Sequence, residues 1–307
     1  MVHRQNKPSP LVWLAILVIP VCAVLTFCIL TFLPKNTADL SEQIEEPPVN
    51  DTIQKPDFID LQPLVDKWVK KTTGEASIII YDLNNQRLAA SYNPSQIFET
   101  ASLYKLFIVY EGYLEVENGS LDPSAIVTGG HTVKECLDLA IRESDSPCAE
   151  GLHAMIGQKK ITEALTDWGL TNTSLDDYQS TAEDVFKIMQ KYYEHTDLSE
   201  ETWTIIQDSM LNQPSVDSEL CDGSCDWRQG LPSGFSVASV YNKVGWEHSG
   251  YGNIWNLYHD AAIVEFPTIK PNIEARKYIV VVMTSKVPLS NIVEFGKTLE
   301  QTILEAS

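Results

Sequence analysis

The chain has 307 residues, enough for one large domain or two small ones, and an apolar content of 44% that supports a sizeable core. Its 42 acidic and 22 basic side chains leave a formal charge of −20. That balance argues against a nucleic-acid partner, because a phosphate backbone recruits basic surface.

The N-terminal stretch differs in kind from the rest. Leu11 to Leu33 carries no charged side chain and is long enough to cross a bilayer as a helix. Arg4 and Lys7 precede it, and Asp39, Glu42, Glu45 and Glu46 follow it. The positive-inside rule then puts residues 1–10 in the cytoplasm, a single span at 11–33, and the bulk of the chain outside the cell membrane. The exit Phe32-Leu33-Pro34-Lys35 lacks the small-x-small pattern of a cleavage site, so the span is expected to remain as an anchor. Residues 34–56, rich in Glu, Pro, Asn, Asp and Thr without apolar period, read as a disordered linker.

Residues 57–307 read as one domain. Phe58, Leu61, Leu64, Val65 and Trp68 recur at helical steps. Ala76–Leu83 is a strand, Asn84-Asn85 a turn, and Arg87–Tyr92 a second strand. A helix opens near Ser102 and ends near Asn118-Gly119. The middle, from about His131 to Met210, is helical segments broken by Gly, Asn, Asp and Pro. Strands return at Phe235–Lys243, Asn253–Phe266 and Tyr278–Met283. A last helix carries Ile292, Val293, Phe295, Leu299 and Ile303 on one face. A five-stranded sheet from both chain ends follows, with the terminal helices on one face and the helical insertion on the other.

Four cysteines lie beyond the span: Cys136, Cys148, Cys221 and Cys225. An even number in an exported domain suggests disulfides, and four allow three pairings that the sequence leaves open. No His stands at ligand spacing beside a Cys pair, so neither a metal nor another cofactor is expected.

Three short motifs carry chemistry. Ser102 and Lys105 are three apart at the start of an apolar helical run, so they share a face. A Ser hydroxyl needs a neighbouring base, and a desolvated Lys amine can serve. Alone, the pair is also what a helix start with a solvated Lys looks like. Ser144-Asp145-Ser146 lies in the helical part, where Ser144 could pass a proton and Asp145 could brace the loop. Alone, this segment is equally an N-cap before Pro147. Lys243-Val244-Gly245, followed by Trp246, ends a strand. A Lys there with a Gly that admits close backbone approach suits an anion, or simply guards a sheet edge.

Taken together and in this order, the three motifs resemble the Ser-x-x-Lys, Ser-Asp-Asn and Lys-Thr-Gly set of the penicillin-recognising serine enzymes. Arg228-Gln229-Gly230-Leu231-Pro232 and His259-Asp260-Ala261-Ala262-Ile263-Val264 extend the similarity to class A β-lactamases and their DD-peptidase relatives. The resemblance implies an α/β (α+β) fold of the β-lactamase/DD-peptidase type: a five-stranded antiparallel sheet, flanking terminal helices and an all-helical part. It implies Ser102 as nucleophile, Lys105 as its base and Ser144 as proton shuttle. Asp145 would be structural, Ser146, Lys243, Gly245 and Trp246 would bind substrate, and Lys243 would hold a substrate carboxylate. The backbone N–H groups of Ser102 and Trp246 would form the oxyanion hole. β-Lactams or D-Ala-D-Ala-type peptides of peptidoglycan are the implied partners.

Three departures qualify this. Ser146 stands for Asn, Val244 for Thr or Ser, and the loop from Gly169 to Gln179 lacks the Glu-x-x-Leu-Asn pattern that supplies the deacylating base. Asp176 and Asp177 are the substitutes on offer. Acylation with slow hydrolysis favours a DD-peptidase-like or transpeptidase-like enzyme. A penicillin-binding sensor that keeps the fold without turnover is the alternative from another class, and a structural wall protein a third.

Overall fold

The computed structural model of the protein describes residues 53–218, 223–248 and 255–307. The expected span at 11–33, nearly all of the expected linker, and Cys221 lie outside these. Among the described residues no helix is long and apolar enough to cross a membrane. Gln54, inside the expected linker, already pairs with the loop before the last strand: its N–H donates to Asn272 O and its carbonyl accepts from Glu274 N–H.

The elements, in order, are helix α1 (Gln62–Lys71), strands β1 (Glu75–Asp82), β2 (Arg87–Tyr92) and β3 (Ile97–Glu99), and helix α2 (Tyr104–Glu117), entered through a 3₁₀ turn at Ala101–Leu103. Then come β4 (Ile126–Thr128), β5 (His131–Thr132), α3 (Val133–Arg142), α4 (Ser146–Ile156), α5 (Gln158–Asp167), β6 (Gln179–Thr181), α6 (Ala182–Glu194) and α7 (Glu200–Leu211). The chain closes with β7 (Ser215–Ser218), β8 (Gly223–Asp226), β9 (Ser239–His248), β10 (Trp255–Glu265), β11 (Lys277–Ser285) and α8 (Leu289–Glu305).

The main sheet has five strands in the order β2-β1-β11-β10-β9. Every pairing in it is antiparallel, with Ile79 opposite Val281 and Ala261 opposite both Val281 and Lys243. Strand alternation divides the core into two layers. Ile279, Val281 and Met283 of β11 face the helical part, and Tyr278, Val280 and Val282 face α1 and α8. A strand covered on both faces reads as an unbroken apolar run, which is why β11 is so plain in the sequence. The expected sheet and its two coverings are therefore as read.

Some boundaries move for physical reasons. The first helix starts at Gln62, leaving Phe58 and Leu61 of the expected helical pattern ahead of it, with Pro63 in its first turn, where a missing N–H is harmless. β9 continues through Gly245 to His248 because β10 pairs along that whole length. Lys243 thus lies within the strand, not at its end. The short pairs β3–β6, β4–β5 and β7–β8 escaped the sequence reading, since runs of two to four residues carry no period of their own.

Candidate active site

Helix α2 is the central rod of the helical part, with every residue from Tyr104 to Tyr113 buried. A helix apolar all round belongs inside a protein. Lys105, in its first turn, is carried in with it and is 0% exposed. Its Nζ lies 3.0 Å from Ser102 Oγ, 2.5 Å from Ser144 O, 3.2 Å from Ser144 Oγ and 3.0 Å from Ser146 Oγ. Burial lowers its pKa to about 7, against the opposing pull of Asp145 and Glu150. A neutral amine has two N–H donors and one lone pair. With a donor committed to the Ser144 carbonyl, the lone pair is available to the Ser102 hydroxyl.

Lys243 approaches from the sheet and is also 0% exposed. Its Nζ donates to Ser144 Oγ and to Val244 O, both at 2.8 Å. Burial, and then the neighbouring Lys105, push its pKa well down, with Asp260 acting the other way. Ser144 Oγ therefore sits between two amines. Ser144 has φ +58°, in the left-handed region, as does Ala101 at +44° just before Ser102. Such strain in non-glycine residues concentrates where geometry is over-determined by its surroundings. At Ser144 the turn between α3 and α4 aims the carbonyl at Lys105.

Asp145 accepts from Cys148 N–H at 2.7 Å, capping α4. The Cys136–Cys148 disulfide ties α3 to α4 on either side of Ser144. That selects one pairing from those left open. Cys225 is disulfide-bonded as well.

The Ser102 turn is fixed from three sides. Thr100 donates to Tyr178 O through its N–H at 2.7 Å and its hydroxyl at 3.1 Å. His259 accepts from Thr284 N–H on Nδ1 at 3.0 Å, so Nε2 carries the proton and donates to Glu99 O at 2.7 Å. Burial lowers the His259 pKa to about 4, so the ring is neutral. On the third side, a Cβ at Gly245 would stand 2.6 Å from Thr100 O and 2.8 Å from Leu103 Cγ. Glycine there lets β9 lie flush against the turn, bringing the Trp246 backbone beside it.

The remaining sequence candidates are less central. Ser146 is exposed, and its Oγ accepts from Lys105 Nζ. Val244 is 1% exposed and packs with Cys225, Trp227 and Trp246. Asp176 and Asp177 are both exposed, and Asp177 is engaged by Ser174 of its own loop at 2.9 Å. What that loop lends to the site is the Tyr178 carbonyl. His259, Tyr178, Trp227 and Asp260 were missed as site residues. Asp260 is buried with its pKa raised to about 7 by burial, although Asn242 Nδ2 and Leu231 N–H both donate to it.

Among the described residues no group of His, Cys, Asp and Glu could hold a metal ion. The cluster of three hydroxyls and two buried amines can deprotonate a serine and protonate a leaving group.

No curated protein matches the chain. Among solved structures, PBP-A superposes with a TM-score of 0.64 at 17% identity, covering 82% of this chain and 98% of that one. An ancestral class A β-lactamase gives 0.65 at 17% identity, covering 80% and 100%. The TLA-1 extended-spectrum β-lactamase gives 0.66 at 12% identity, covering 80% and 98%. At these identities the likeness is one of fold. The sequence model described as the beta-lactamase enzyme family matches residues 60–306, and the chain belongs to that family.

Proposed function

We propose that the protein is a serine hydrolase that forms an acyl-enzyme on Ser102. The observation that carries this is the buried Lys105 amine, 3.0 Å from Ser102 Oγ with its pKa lowered to about 7. Neutral Lys105 takes the Ser102 proton as Oγ attacks a carbonyl carbon. The N–H groups of Ser102 and Trp246 receive the oxyanion. Ser144, between the two lysines, passes a proton to the leaving group. β-Lactams and D-Ala-D-Ala-type peptides are the first donors to try, since a PBP-A variant was solved as an acyl-enzyme complex with penicillin G. The exposed positions of Asp176 and Asp177 support slow deacylation, as in a DD-peptidase-like or penicillin-binding protein.

The test is intact-mass analysis after incubation with penicillin G and, separately, with the neutral activated ester p-nitrophenyl acetate. An adduct mapped to Ser102 and absent from Ser102→Ala is expected with at least one of them. Labelling of Ser102→Ala equal to wild type with both would overturn the reading.

The apolar run Leu11–Leu33, with cations before it and acids after it, supports a single-pass anchor with the domain outside the cell. Protease added to intact cells should then remove the domain.

A further inference from the structure

When Lys105 takes a proton from Ser102, a positive charge forms on an amine that is 0% exposed. Its hydrogen-bond partners are all neutral: the Ser102, Ser144 and Ser146 hydroxyls and the Ser144 carbonyl. Among the described residues, neither Lys105 nor Lys243 is ion-paired with a carboxylate. Asp145 and Glu150 favour the charge on Lys105, and Asp145 is already engaged by Cys148 N–H. Lys243 of β9 opposes it, since an ammonium on one of these amines disfavours an ammonium on the other.

An aromatic ring completes the surroundings of the amine. The Tyr104 ring centroid lies 5.4 Å from Lys105 Nζ. That is inside the roughly 6 Å over which the negative face of a ring attracts a cation, an attraction that grows where water is kept away. Tyr104 is 7% exposed. Tyr178 meets its ring edge-on, with centroids 5.0 Å apart and planes at 85°. The Tyr178 carbonyl also accepts from Thr100, so one residue steadies both the ring and the Ser102 turn. Burial, reinforced by Glu150, raises the Tyr104 pKa, and the phenol stays neutral where Lys105 titrates.

We propose that Tyr104 is a positioning residue for the base, its ring face stabilising the ammonium that forms on Lys105 as Ser102 is acylated. The inference rests on the acyl-serine reading of Ser102. In that step the Ser102 O–H bond breaks and a new N–H bond forms on Lys105. Oγ bonds to the carbonyl carbon, and the carbonyl π pair moves onto its oxygen. The ring takes no proton and forms no bond. A carboxylate in its place would hold Lys105 charged before the reaction and so remove the base. An aromatic face attracts more weakly, which leaves neutral amine populated and still supports the charge once it forms.

The test is the pH profile of Ser102 acylation, read by intact mass with penicillin G and with p-nitrophenyl acetate. The full chain is compared with chains carrying Phe or pentafluorophenylalanine at position 104, each checked for folding by circular dichroism. Fluorination withdraws electron density from the ring face and nearly keeps its shape. Phe keeps the face, and its midpoint is expected to match wild type. The midpoint with pentafluorophenylalanine is expected at least about half a pH unit lower, because the ammonium is the form that loses support. Equal midpoints for the two rings, or a higher one for the fluorinated ring, would overturn the role of Tyr104 while leaving Ser102 as nucleophile. No adduct on wild-type Ser102 from either donor would overturn the acyl-serine reading and this inference with it. If the fluorinated chain does not fold, Tyr104→Leu, which removes the ring, is read against Tyr104→Phe by the same criterion.

Discussion

Lys105 is fully charged in water at neutral pH but only about half charged in the fold, and its proposed chemistry follows from that difference. Its folded pKa of about 7 lies below its ordinary value of 10.5. The neutral base is thus half populated near pH 7, and acylation of Ser102 should rise about tenfold per pH unit below that point and level off above it. A flat profile from pH 5 to 8 in single-turnover mass analysis would rule out this amine as the base. Lys105→Met should lower acylation by about 10²–10⁴-fold. The same shift bears on stability. Between about 7 and 10.5 the unfolded chain binds a proton that the folded one does not, so wild-type stability rises with pH across that window. Lys105→Met should therefore be more stable than wild type at pH 7, by a margin that shrinks toward pH 10.5, as read by denaturant midpoints. Ser102, Lys105 and Ser144 were legible in sequence because each sits in a local motif whose spacing already fixes a geometry. His259 and Trp227 were not, because Glu99 and Glu143 become their partners only through long-range pairing.

At the scale of elements, the site depends on two close fits. The Cys136–Cys148 bridge clamps α3 and α4 around the strained Ser144 turn, across a sequence separation of 12. Closing a loop of that length stabilises the fold by about 3 kcal/mol in the chain-entropy account. The double variant Cys136→Ala, Cys148→Ala should lose about that much in urea denaturation, and acylation should fall further than stability alone explains because Ser144 loses its frame. Unchanged acylation in a folded double variant would show that the turn holds its shape without the clamp. The second fit is Gly245 against Thr100. An added methyl would meet a backbone oxygen at 2.6 Å, an atom that cannot swing aside because Thr100 is held by Tyr178 and by Leu103 N–H. Gly245→Ala should cost about 1–3 kcal/mol of stability and slow acylation by displacing the Ser102 turn, with the melting temperature and the mass assay as the two readouts. The sequence pointed to close approach at this glycine. It did not show what approaches, because Thr100 lies far away in the chain and the register of β9 decides the contact.

For the molecule as a whole, the sheet joins the two ends of the domain, and this was the most legible feature of all. β1 and β2 come from the start, β9 to β11 from the end, and β1 pairs directly with β11. Apolar runs at both ends with helical periods outside them leave few other ways to bury both faces. The consequence is that neither end is dispensable. Ile292, Phe295, Leu299 and Ile303 of α8 are each 0–1% exposed in the layer shared with α1. Removing four such side chains forfeits roughly 1.5–3 kcal/mol apiece, a sum comparable to the about 5–15 kcal/mol by which a domain is stable. Truncation before Leu289 should therefore unfold the whole domain, including the distant Ser102 site, and not merely fray its end. Circular dichroism and gel filtration of the truncated chain would read this directly. A chain that kept a cooperative transition and Ser102 reactivity without α8 would mean that the sheet and the helical part hold together without the terminal layer.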